Sequence, residues 1–389
     1  MAGYDQAIAL RPDYAHAFCN RAVVLGQMKK FPEALASYDR AIEIDSTDVL
    51  AHYNRGLLLN GMGQGNAALA SFDNAIARSV DYFPAHFARA AMLQARGQWT
   101  ASLASYDSTI TLDPGNSAAH YNRGTVLKQL EQWADALASY DCAISLDEGF
   151  ARAHEGRAEA LERLNRLPEA LDSYDRAIAI DPRVGGAYDG RGVVLQKLGR
   201  LSEALSSHDQ AIAAKSDDSQ AYFNRGTVLA ELRDFKEALA SYDQAISIKP
   251  GFADAYVNRA NALEAIGSTR EAIASVKQGI ALDAQLAEGH FNLALMSLKV
   301  GDLLAGWSSY EWRWRAKSGP IFRERRVWRQ PLWIGGNDIA GRTILLYGEQ
   351  VSETHCSFVA MSSWSRNWAH GSCWRCRSRW WPCAPRSVV

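Results

Sequence analysis

YNRGLLLNGMGQGNAALASFDNAIA (residues 53–77) returns as YNRGTVLKQLEQWADALASYDCAIS (121–145) and again as FNRGTVLAELRDFKEALASYDQAIS (223–247). The offsets are 68 and 102 residues, two and three times 34. A fixed period of this length marks a chain made of one supersecondary unit stacked on itself. Repeats starting at residues 15, 49, 83, 117, 151, 185, 219, 253 and 287 follow one another without insertion or deletion. Within each, apolar residues recur at helical spacing in two blocks, which predicts two amphipathic helices per repeat.

The eighth position of every repeat is Gly or Ala, and the twentieth is Ala, Ser or Gly. Small residues at these places let two helix backbones approach closely. The twenty-fourth position is aromatic or His in eight of the copies (Tyr38, Phe72, Tyr106, Tyr140, Tyr174, His208, Tyr242, Tyr310) and fills the space the small residues leave. Pro12, Pro114, Pro182 and Pro250 share the thirty-second position, where they end the second helix. This pattern resembles the tetratricopeptide repeat (TPR) family over roughly residues 1–316. The resemblance implies an all-α superhelical solenoid of about nine 34-residue helix-turn-helix repeats, with the first helix of each lining a concave groove. In this register Met1 falls at the twenty-first position, so residues 1–14 read as an orphan second helix and the chain as cut at its start.

Position seven is Arg in eight successive repeats and position twenty-five is Asp in the eight half-repeats that precede them. Pairing each Arg with the Asp sixteen residues earlier gives Asp5–Arg21, Asp39–Arg55, Asp73–Arg89, Asp107–Arg123, Asp141–Arg157, Asp175–Arg191, Asp209–Arg225 and Asp243–Arg259. Where the Asp is lost (Lys277), the following Arg is lost too (Leu293). That covariation predicts partly buried bridges between repeats, the guanidinium fork holding the carboxylate bidentately. Such pairs fix register more than they add stability, and a waiting acid for each Arg argues against an anion site.

Position six is Asn20, Asn54, Asn122, Asn224, Asn258 and Asn292, interrupted by Ala88, Gly156 and Gly190. Amides that donate and accept suit the backbone of an extended peptide. Such a row resembles the asparagine ladder of O-linked N-acetylglucosamine transferases, which implies peptide binding at these six positions. A solvated polar face, or amides bonded from helix to helix, explains the same pattern. His52, His86, His120, His154 and His290 share position four with Phe18, Tyr188, Tyr222 and Tyr256, so they read as packing residues on separate repeats. No metal, cofactor or catalytic residue is assigned.

Residues 1–300 carry 29 basic and 37 acidic side chains, and residues 301–389 carry 13 and 6. The basic end, with interleaved Trp and Arg, raises nucleic-acid binding as an alternative reading. The preferred reading of GDLLAGWSSYEWRWR (301–315) is a helix whose aromatics cap the array. No signal peptide or membrane-length apolar run is present, so the expected location is cytoplasmic and no membrane partner is expected. Further on, GRTILLYGEQ (341–350) reads as a turn, a buried strand and a tight loop.

Trp307, Tyr310–Trp314, Gln330–Trp333, Gly335, Thr343–Leu346, Glu349 and Gln350 together resemble bacterial repeat proteins that continue into a glycosyltransferase-like domain akin to heptosyltransferases. The resemblance implies that residues 317–350 are the remnant of the start of such an α/β domain. The match stops at Val351. Read one base out of step, the codons allowed for Val351–Phe358 spell Gly-Leu-Gly-Asp-Thr-Leu-Gln-Phe, the continuation of that family's pattern. Residues 351–389 therefore read as an out-of-frame, disordered tail, and Cys373, Cys376, Cys383 and His370 within it as no zinc site. The function expected is a TPR scaffold that takes a protein or extended peptide in its groove and has no catalysis of its own. The alternative is a nucleotide-sugar-dependent transferase, which needs two complete lobes to hold its donor.

Overall fold

The computed structural model describes residues 1–316; the expectations for 317–350 and 351–389 lie outside the described residues. All regular structure among the described residues is helical. Residues Ala2–Leu10 form a single helix, and nine helix pairs follow. Their first helices are Ala15–Gln27, Val49–Gly61, Phe83–Ala95, Ser117–Gln129, Ala151–Arg163, Gly185–Lys197, Ser219–Glu231, Ala253–Ala265 and Ala287–Lys299, each beginning on position one. Eight second helices run 14 residues, from Phe31–Ile44 to Thr269–Leu282. The ninth, Leu303–Tyr310, has 8 residues and passes into a 3₁₀ turn, Glu311–Trp314, whose Trp312 stacks on His290 at 4.1 Å.

The turn inside each repeat explains why the helices stop where they do. Position fifteen is left-handed in all nine repeats, as Gly63, Gly97, Gly199, Gly267 and Gly301 and as the non-glycine residues Lys29, Glu131, Asn165 and Arg233. The next amide then reaches back five residues, as Lys30 N does to Leu25 O at 2.9 Å, satisfying a carbonyl the helix end leaves open. At the other end Asp48, Asn116 and Asp218 cap first helices by accepting from backbone amides.

Close approach within a repeat has a direct signature. A Cβ placed on Gly124 would lie 2.8 Å from the ring of Tyr140, and one on Gly56 2.6 Å from that of Phe72. Both rings are buried. The position-five side chain meets the same ring from the other side: Tyr53–Phe72, Phe87–Tyr106, Tyr121–Tyr140, Phe223–Tyr242 and Phe291–Tyr310 have centroids 5.7 to 6.1 Å apart. Burial pushes the phenol of Tyr38 up to about 12, and raises those of Tyr106, Tyr140 and Tyr174 further.

Repeat six breaks this rule in both partners at once. Asp189 stands at position five and His208 at position twenty-four, with His208 Nδ1 2.8 Å from Asp189 Oδ1. The imidazole is fully buried and its Nε2 has no partner among the described residues. Asn224, on the next first helix, donates to both oxygens of Asp189 at 3.1 and 2.9 Å. A hydrogen-bonded polar pair thus replaces an aromatic one, and Gly192 gives the imidazole the room Gly124 gives Tyr140.

Between repeats, Arg Nε lies 2.6 to 2.8 Å from Asp Oδ1 in all eight of the pairs from Arg21–Asp5 to Arg259–Asp243. The fork is divided and not bidentate on Asp. In seven repeats its Nη1 turns to the position-twenty-three Ser of its own repeat, as Arg55 does to Ser71 at 2.8 Å. That hydroxyl in turn bonds the carbonyl four residues back, as Ser71 Oγ does to Ala67 O. Each of these seven arginines therefore joins three helices, and Arg259 joins two. The position-four histidines serve the loops: His52, His86, His120, His154 and His290 each bond through Nε2 to the carbonyl six residues earlier, at 2.9 to 3.2 Å.

Three outcomes follow for stability, all read by chemical denaturation. Gly124→Val drives a branched side chain into Tyr140 and costs about 2–3 kcal/mol, whereas Gly61→Ala, with open space around it, is neutral or gains up to about 1 kcal/mol. Asp189→Ala strands the buried His208 N–H and costs about 2 kcal/mol, while the double variant D189F/H208Y restores the aromatic pair and recovers most of it. Burial holds the His52 imidazole below its ordinary value of 6.5, so the unfolded chain takes up that proton first. Its contribution is complete above about pH 6.5 and is lost as pH falls towards the native value; wild type accordingly loses more stability than His52→Tyr on going from about pH 7 to about pH 5.5.

Candidate functional site

Successive first helices touch one another along the array, and the second helices do not close up in this way. The first-helix side is therefore the inner one. Side-chain bonds between neighbouring first helices identify its positions. Lys128 pairs with Glu159 at 2.5 Å, Lys197 with Glu162 at 2.9 Å, and Lys299 with Glu264. Gln196 donates to Glu231 at 2.6 Å and Asn292 to Asn261 at 2.8 Å. These residues, with Asp189 and Asn224, occupy positions five, six, nine, twelve and thirteen, and position two, one turn before six, joins them where Gly186 meets Glu155, so these positions share the inner face.

The six asparagines are not equivalent. Asn122 faces the phenol of Tyr106 and Asn258 that of Tyr242, in each case the position-twenty-four ring of the preceding repeat, and each amide partly offsets the rise that burial gives the phenol. Asn224 is held on Asp189 and Asn292 on Asn261. Asn20 and Asn54 have no hydrogen bond among the described residues, Asn20 being exposed and Asn54 half-buried. Four of the six thus fit the helix-to-helix explanation and two leave their amides open. The interruptions have a packing cause. A Cβ on Gly156 or Gly190 would sit 2.6 and 2.4 Å from the rings of Tyr140 and Tyr174, and Ala88 follows Phe72, which has no hydroxyl to receive an amide. The preceding ring does not by itself decide engagement, because Tyr4 precedes Asn20 and Tyr38 precedes Asn54 just as Tyr106 precedes Asn122.

The open amides lie beside apolar surface. Val23, Leu50 and Leu57, on the first helices of repeats one and two, are 38, 48 and 43% exposed. Midway along, the character changes, because position five passes from Tyr121 to Glu155 and Asp189. Burial, reinforced by Glu159, raises the Glu155 carboxyl above its usual range, and Gly186 makes room for it, a Cβ there falling 2.4 Å from Glu155 Oε1. Among the described residues no three His, Cys, Asp or Glu side chains gather as metal ligands. Cys19 is buried against Asp48, which with burial pushes its thiol up to about 12, the reverse of a nucleophile. No helix among the described residues is long and apolar enough to cross a membrane.

Comparison with known proteins agrees with this architecture. Models described as tetratricopeptide repeat match residues 53–117, 121–184, 190–253 and 253–286, and one described as TPR repeat matches 26–63. No curated protein matches the chain. The crystal structure of the APC/C hetero-tetramer Cut9–Hcn1 is similar at TM-score 0.51 and 15% identity, covering 79% of this chain and 74% of that one. A tetratricopeptide repeat protein of Parabacteroides merdae ATCC 43184 gives 0.48 and 17%, covering 64% and 98%. YrrB, described as a TPR protein with an unusual peptide-binding site, gives 0.41 and 24%, covering 47% and 95%. At 15% identity the Cut9–Hcn1 likeness speaks for the fold alone. With repeat models matching from residue 26 to residue 286 and helix pairs on the same 34-residue register, the chain belongs to the tetratricopeptide repeat family.

Proposed function

We propose that this chain is a non-catalytic scaffold that holds an extended segment of another protein along the inner face of its repeats. The observation that carries the reading is the pair of unengaged amides, Asn20 and Asn54, flanked by exposed Val23, Leu50 and Leu57 on the same helices. An open amide donates to and accepts from a peptide backbone whatever its side chains, and the apolar residues beside it supply area that gains on being covered. The four engaged asparagines contribute to the array's own cohesion. Transferase chemistry and nucleic-acid binding through the basic end both depend on residues beyond 316, and nothing on the inner face calls for either.

Panning a display library of random peptides of about 16 residues against the full chain tests this. Selected peptides are expected to bind with 1:1 stoichiometry, and N20A/N54A to weaken them by about ten-fold while leaving the unfolding midpoint in place. Asn224→Ala is expected to lower stability instead, since it removes a bond to Asp189. Failure to select any peptide, or binding indifferent to N20A/N54A, overturns the proposal.

A further inference from the structure

We infer that the segment held on the inner face is bipolar, with an uncharged apolar end against repeats one to three and a lysine- or arginine-rich end against repeats five to eight. This rests on the groove reading above and adds the partner's chemistry and its layout.

The first helices of repeats one to four, residues 15 to 129, contain no acidic side chain. Their basic ones are the four position-seven arginines and Lys128, and all five are already paired with carboxylates. This stretch therefore offers amides and apolar surface without net charge of its own. From residue 151 to residue 265 the same helices carry seven carboxylates. Lysines neutralise three of them, Glu159, Glu162 and Glu264. Of the rest, Asp189 and Glu231 accept only from His208, Asn224 and Gln196, while Glu155 and Asp254 accept no hydrogen bond among the described residues. Lys128 and Arg152 lie near Glu155, but Lys128 is bonded to Glu159 and Arg152 is shared with Asp181. Arg163 is turned over the ring of Trp133.

Carboxylates left without a cation on a surface meant to be covered lose solvation unless a positive group arrives with the cover. The raised carboxyl of Glu155 is consistent with that cost being present already. A cationic partner removes it; an acidic or apolar one increases it. Negative charge on the inner face also works against a polyanion there.

Geometry sets the spacing. Neighbouring helices sit about 9 Å apart, so one repeat corresponds to about three residues of extended chain. The centres of the two halves are about four repeats apart, which places the partner's apolar and basic clusters about 12 residues from each other.

The test uses the full chain and labelled synthetic peptides of about 20 residues with a Leu/Val/Ser cluster, a Gly/Ser spacer and a terminal cluster of Arg/Lys, Ser or Glu, each made in both chain directions. In one direction the Arg/Lys peptide is expected to bind about ten-fold more tightly than the Ser peptide at about 50 mM salt, with the advantage disappearing by about 300 mM. The Glu peptide should bind worst. E155Q/D254N is expected to reduce binding of the Arg/Lys peptide about five-fold and to leave the Ser peptide unchanged, with an unaltered unfolding midpoint as the control for folding. Equal binding of the Arg/Lys and Ser peptides, or a preference for Glu, overturns the bipolar inference and leaves the groove reading standing. If no peptide binds in either direction, the groove reading falls with it.

Discussion

Two helices of one repeat can pack here only because position eight has no side chain beyond Cβ, so that a buried ring at position twenty-four lies almost against the backbone of the first helix. Interiors pack at crystal-like density, and this contact leaves no slack for a larger residue. Everything else is arranged around it. The ring also meets position five, fixing the rotation of the first helix, and reaches position six of the next repeat, linking one unit to its neighbour. One aromatic side chain thereby sets both the geometry within a repeat and the polar chemistry available on the adjacent inner face.

The divided arginine forks act at a different level. The arginines are partly buried and their aspartates about half exposed, so each ion pair is worth little in stability. Their value is directional. A guanidinium that reaches Asp of the preceding repeat with one arm and Ser of its own with the other is satisfied only when three helices are in register. Repeated seven times, this specifies stacking order in an array whose stability is otherwise a sum of neighbour contacts.

Against that uniform frame the inner face varies. Asp189 with His208 shows that the frame accepts a hydrogen-bonded pair in place of two rings, provided both partners change and a glycine makes room. The same freedom lets position five carry Glu155 and lets lysines cross between first helices from repeat four onward. Positions that hold the helices together are nearly invariant along the chain, whereas positions facing the groove drift from uncharged to acidic.

The amino-acid sequence by itself determined the period, the repeat boundaries, the two-helix unit and the partners of the eight arginines, because each depends on a rule applied at fixed spacing many times over. It left undecided which asparagines remain open, since Asn20 and Asn122 occupy the same position and each follows a tyrosine, Tyr4 and Tyr106, yet only Asn122 engages its phenol. The role of Ser at position twenty-three and the loop-pinning by the histidines were likewise hidden, although both residues recur visibly. A recurring residue announces that it is needed and not what it touches. Contacts such as Asn224 to Asp189, 35 residues apart, exist only once two helices are placed side by side, and that placement is decided by tertiary packing.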